Sequence, residues 1–191
     1  MAHFGNTHRG GRPVDTAGAS RLAQARRGQP EAARRVSRAL EADITAILNI
    51  ARQHYPSLRV AYLSSRTFGG WSGRASGSPE PYAYESGFGT RWVVQSQIQG
   101  DPRLNYDPAR GAVKAPLVIW GPYLWACGVT PRKLDGLVWL ENDVRADHLH
   151  PNEAGVKKTT TLLLNFFKTD AGTSRWFLKP DETGRVTPLP K

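Results

Sequence analysis

An open α/β fold with a mainly parallel sheet is the class this chain predicts, and three features of its pattern carry the prediction. A helical apolar repeat runs straight into a short apolar strand over residues 30–63. A second strand-like run, Leu117-Val118-Ile119-Trp120, ends on Gly121-Pro122, and a last amphipathic helix opens at Pro151. A helix feeding a buried strand is the repeating unit of such sheets, and their ligands bind beyond the carboxyl ends of the strands.

Taken in order, residues 1–29 are rich in Gly, Arg and Ala and nearly devoid of large apolar side chains. They cannot bury enough surface to offset the entropy of ordering, which predicts a disordered arm. Pro30 suits a first helical position, and Val36, Leu40, Ile44, Ile47, Leu48 and Ala51 recur at helical spacing, so a helix is expected to run to His54. Tyr55-Pro56 ends it, and Leu58 to Leu63 is rich in strand formers. Ser64-Ser65-Arg66 and a Gly/Ser-rich loop from Gly69 to Ser78 follow, where function is expected.

A second helix is predicted over Pro81 to Ile98 from Tyr84, Phe88, Trp92 and Val93, although Gly87 and Gly89 lower helix propensity. Leu117 to Trp120 reads as a strand, and Leu137 to Leu140 as another short one. The final helix should run from Pro151 to about Lys168, with Glu153 complementing its N-terminal dipole. These elements divide the chain into an arm (1–29), one domain (30–178) and a flexible tail (179–191).

The chain has 191 residues, enough for one ordinary core, and a formal net charge of +10. More than half of that excess lies in residues 1–39, where eight arginines face only Asp15 and Glu31. The arm could bind nucleic acid non-specifically through counterion release, but no nucleic-acid fold motif accompanies it, so that partner is not expected. Cys127 is the only cysteine, which removes an intrachain disulfide and a zinc-type cysteine spacing. No apolar segment has the length of a membrane span or the form of a signal peptide, so a soluble, cytoplasmic chain without membrane partners is expected.

The segment with chemistry is Asp147-His148-Leu149-His150. A carboxylate that accepts from one ring nitrogen of a histidine fixes its tautomer, leaving the other nitrogen to take a proton from a hydroxyl nucleophile. Three-residue spacing in a tight loop can join Asp147 to His150, and a helix starting at Pro151 would anchor the ring. His148 adds a third polar group, but three neighbouring residues without a distant fourth do not make a zinc site, and no metal or other cofactor is expected.

Asp-x-x-His-Pro opening the final helix resembles the terminal block of SGNH-type (GDSL-like) hydrolases. Tyr62-Leu63-Ser64-Ser65-Arg66, Glu80 to Phe88 and Trp120-Gly121-Pro122-Tyr123-Leu124-Trp125 are similar to a bacterial SGNH-like subgroup, and the resemblance covers about Arg34 to Phe177. It implies a three-layer α/β/α fold of flavodoxin-like type with Asp147 and His150 as catalytic acid–base residues. The family's Gly-Asp-Ser nucleophile block is not found, and residues 30–63 resemble the end of the sheet, so a sheet lacking its N-terminal strands is implied. His148 stands where the family tends to have Gly, and Cys127 where it tends to have Asp.

Ser64 and Ser65, at a strand's carboxyl end, are the candidate replacement nucleophiles, against the alternative that they bond local backbone. Arg66, Glu85, Trp120, Tyr123 and Trp125 are the candidate substrate-binding residues. The guanidinium would hold a polar group and the rings would stack on a sugar. For Arg66, pairing with Glu80 or Glu85 is the alternative. The expected function is hydrolysis of ester bonds, in an acetylated carbohydrate or a small ester. The alternatives are an inactive SGNH-like protein or glycan-binding module, with self-association following from an incomplete sheet.

Overall fold

The computed structural model describes residues 31–72 and 80–179. The predicted arm, residues 73–79 of the Gly/Ser-rich loop, and the tail from residue 180 onward lie outside the described residues.

Helix α1 spans Glu31–His54, strand β1 Val60–Leu63, helix α2 Tyr82–Ile98, strand β2 Leu117–Trp120, helix α3 Glu153–Thr169 and helix α4 Ser174–Phe177. The strands form a parallel two-stranded sheet with Val60 beside Leu117 and Leu63 beside Trp120, so the chain is a mixed α/β protein. Side chains alternate across the sheet. Ala61, Leu63 and Val118 pack with Ile44 and Leu48 of α1 and Val93 of α2. Tyr62 points to the other face, where its ring meets Phe166 and Phe167 of α3 and Trp176 of α4 at 5.6–6.3 Å.

Gly89, which costs helix propensity, is a point of close approach between α1 and α2. A Cβ there would lie 2.9 Å from the Ser37 carbonyl oxygen and 3.1 Å from the Leu40 side chain. Ser37, buried beneath, donates to the Glu85 carbonyl oxygen across the same contact at 3.1 Å.

Two expectations need correction, and one element is added. Leu137 to Leu140 is not a strand. Trp139 is buried and its backbone N–H reaches the Gly128 carbonyl at 2.8 Å, so the run is a core-filling loop. Pro151 does not open the last helix. It forms an antiparallel bridge with Val144, and Asn152 is the N-cap, its Oδ1 accepting from the amides of Ala154 and Gly155. The short helix α4, unforeseen, turns at Thr173, whose buried hydroxyl reaches the Phe166 and Phe167 carbonyls at 3.0 Å.

Candidate acid–base site

The turn at 145–150 is set by its backbone. Residues 143–145 and 150–152 run antiparallel: Arg145 N–H donates to the His150 carbonyl at 2.8 Å and Asn152 N–H to that of Asp143 at 3.0 Å. Within the turn, His148 N–H closes onto the Arg145 carbonyl at 2.8 Å. His148 has φ of +57°, alone among described non-glycine residues in the left-handed region. That conformation costs little for glycine and more for other residues. The His148 ring is tied down by Glu141, Nδ1 to Oε1 at 3.2 Å.

Asp147 uses both carboxylate oxygens. Oδ1 accepts from the Leu149 and His150 amides, each at 2.9 Å, and Oδ2 lies 2.8 Å from His150 Nδ1. The Leu149 amide first, then the His150 ring and amide, hold this carboxyl well below the usual carboxylate range. An ionised carboxylate only accepts, so Nδ1 carries the proton and the neutral ring has its lone pair on Nε2. The His150 side chain is 66% exposed, and no described residue hydrogen-bonds to Nε2. The predicted Asp147–His150 pair is thus formed, with its basic nitrogen toward solvent.

A buried scaffold lies behind the turn. Asp143 accepts from Lys158 Nζ of α3 at 2.5 Å and from Leu140 N–H at 2.6 Å. Asn152 Nδ2 donates to the carbonyls of Asn142 and Val144. A Cβ on Gly155 would collide with the Asp143 carbonyl oxygen, so α3 meets this loop at a glycine because only a missing side chain admits the contact.

The other predicted residues gather beyond the carboxyl end of β1. Ser65 is buried and its Oγ accepts from the amides of Leu124 and Trp125, at 2.9 and 3.2 Å. That hydroxyl ties two distant segments together. Glu80, which the sequence offered as a partner for Arg66 and not as a site residue, is the hub here. Its carboxylate accepts from Gly69 N–H, Tyr84 N–H and Trp125 Nε1 at 2.8–3.1 Å. Burial nonetheless raises its pKa. Glu85 is buried on α2 and raised by burial and then by the charge of Glu80.

Trp120 stacks on Tyr123 at 6.1 Å, and Trp125 lies 4.7 Å from the Tyr84 ring. Tyr123, under the Arg132 guanidinium, has its hydroxyl pushed up to about 12, mainly by burial. These rings are half-buried against one another. Arg66 is exposed and makes no direct ion pair among the described residues, though its charge reaches Glu80 and acts to lower that carboxyl's pKa against the larger effect of burial. Ser64 lies beside Gly121, whose Cβ would be 2.9 Å from its Oγ. No described serine hydroxyl hydrogen-bonds to His150.

Trp139 joins the two regions. Its Nε1 donates to the Leu124 carbonyl at 2.8 Å, its own carbonyl accepts from Trp71 Nε1, and Lys158 lies 5.9 Å from its ring while bonded to Val138 and Asp143. Trp139 lies in the run read from sequence as a short strand, and a Trp amid Leu137-Val138 and Leu140 is a core signal in itself.

Compared with family models, with curated proteins and with solved structures, the chain gave no significant match. Among the described residues no three His, Cys, Asp or Glu side chains are grouped to hold a metal ion, and no helix is long and apolar enough to cross a membrane.

Proposed function

We propose that this chain is an SGNH-type ester hydrolase, acting on an acetylated carbohydrate or a small ester, in which His150 is the general base and Asp147 fixes its tautomer. The observation that carries the reading is the 2.8 Å contact from His150 Nδ1 to a fully engaged Asp147 carboxylate, with Nε2 left open. Such a pair takes a proton from a hydroxyl nucleophile and returns it to the leaving alcohol. Helices packed on both faces of a parallel sheet are compatible with a three-layer α/β/α domain, the fold this reading requires.

Ser65 is unsuited to be the nucleophile, because its hydroxyl is buried and already accepts two amides. Ser64 keeps that candidacy. The test is turnover of 4-nitrophenyl acetate and of acetylated oligosaccharides by the intact chain. His150→Ala is expected to lower turnover about a hundred- to ten-thousandfold, and Asp147→Asn to act in the same direction. Equal turnover in wild type and His150→Ala overturns the reading.

A second reading draws on a different observation, the clustered rings of Trp120, Tyr123 and Trp125. A glycan-binding protein without chemistry would bind saccharide equally well after His150→Ala and lose binding after Trp120→Ala.

A further inference from the structure

A cavity lies at the other end of the sheet from the residues discussed so far. The last turns of α1, the turn after α2 and the segment leading into β2 meet before the amino ends of the strands and surround an open space of about 620 Å³. Small-molecule sites usually measure about 300–1,000 Å³. Ser64, Ser65 and Tyr123 follow the opposite, carboxyl ends of the strands.

The walls are tied together by one side chain. Asn49 Nδ2 donates to the Arg103 carbonyl at 2.8 Å and to the Lys114 carbonyl at 3.0 Å, so α1 holds both loops at once. The Asn105 carbonyl joins the same two loops, accepting from the Lys114 and Ala115 amides at 2.7 and 3.1 Å. The cavity is therefore built into the fold.

Every charged side chain that lines it is a cation: Arg52, Arg103 and Lys114. Asp101 takes Nε and Nη2 of Arg103, which leaves Nη1 of that guanidinium. Arg52 gives Nη1 to the Pro56 carbonyl and keeps its other nitrogens, and exposed Lys114 adds an ammonium with three donors. Glu41, whose charge also reaches Arg103, is committed to Arg38 and Ser96. With Asp101 set against Arg103, two net positive charges face one space. Like charges held together repel, and an anion seated among them removes that cost and collects their donors. The lining has no aromatic ring among the described residues, so a sugar face or a nucleobase finds no stacking partner.

We propose that this cavity binds a small phosphorylated molecule with an aliphatic, polar body. Arg52, Lys114 and the remaining edge of Arg103 hold the phosphate, for which a guanidinium fork is well matched, while Pro102 and Val113 lie along the body and the Gln53 amide meets a hydroxyl. The site is separate from the Asp147–His150 pair and does not depend on ester hydrolysis. Because its cations reach solvent, binding weakens as salt is added.

The experiment is an NMR titration of the backbone amides of the full chain with glycerol 3-phosphate, carried well into the millimolar range, with inorganic phosphate and glycerol alongside. The expected result is a saturable shift of the Asn49, Arg52, Gln53, Arg103 and Lys114 amides, smaller with inorganic phosphate at equal concentration and absent with glycerol. Lys114→Gln and Arg52→Gln should each weaken binding about tenfold. Lys157→Gln, at an exposed cation on α3, should leave it unchanged. Shifts confined to the arginine-bearing residues 1–29, a response to vesicles containing phosphatidic acid with none to the free compound, equal loss in Lys157→Gln, or no saturable shift overturns the proposal. Should Arg52→Gln, which gives up the Pro56 bond, not fold, Lys114→Gln decides.

Discussion

The turn carrying Asp147 and His150 and the segment at Ser65 that follows β1 hold similar polar groups in opposite conditions. Ser65 is buried with its oxygen satisfied by two amides, and Glu80 beside it takes three donors, so these groups hold segments together. His150 has one nitrogen fixed by Asp147 and the other facing solvent. A polar group whose bonding capacity is filled inside the protein serves the fold, and one held by half its capacity can meet a substrate.

Four substitutions, in falling order of their effect on stability, separate the groups that hold the fold from the one open to solvent. Asp143→Ala strips the partner from Lys158 and the acceptor from Leu140 N–H, and should cost about 3 kcal/mol in urea unfolding. Ser65→Ala leaves the Leu124 and Trp125 amides without an acceptor, an expected loss of about 1–3 kcal/mol. A neutral result there would free Ser65 for chemistry and erase the contrast.

Glu85→Gln should change less, and in a pH-dependent way. A carboxyl raised in the folded state binds its proton more tightly than in the unfolded chain, so it favours folding at low pH and loses that contribution as pH rises through the raised value. The variant should flatten that fall in a series of melts across the acid range. His150→Ala should change stability least, within about 0.5 kcal/mol, since the ring is mostly solvent-exposed.

Local sequence rules located the turn and most of the elements. The apolar repeats of α1 and α3, the strand formers of β1 and β2, and the Asp147–His150 spacing are local signals, and each element was found within a few residues of its predicted bounds. What escaped depends on partners far along the chain. Gln97 bonding the Val118 amide and the Pro116 carbonyl, Glu80 collecting donors from Gly69 and Trp125, and Lys158 reaching Asp143 join residues 11 to 45 positions apart. Gly89 carried a helix penalty in sequence, and the use of Gly89 and Gly155 as points of close approach became visible only once two elements met there.

Whether His150, oriented by Asp147, serves as base to a serine is decided by fluorophosphonate labelling of the folded chain. The expected result is a stoichiometric adduct on one serine other than Ser65, mapped by peptide mass and lost in His150→Ala. Folded protein that takes no adduct, or takes the same adduct without His150, would contradict the account.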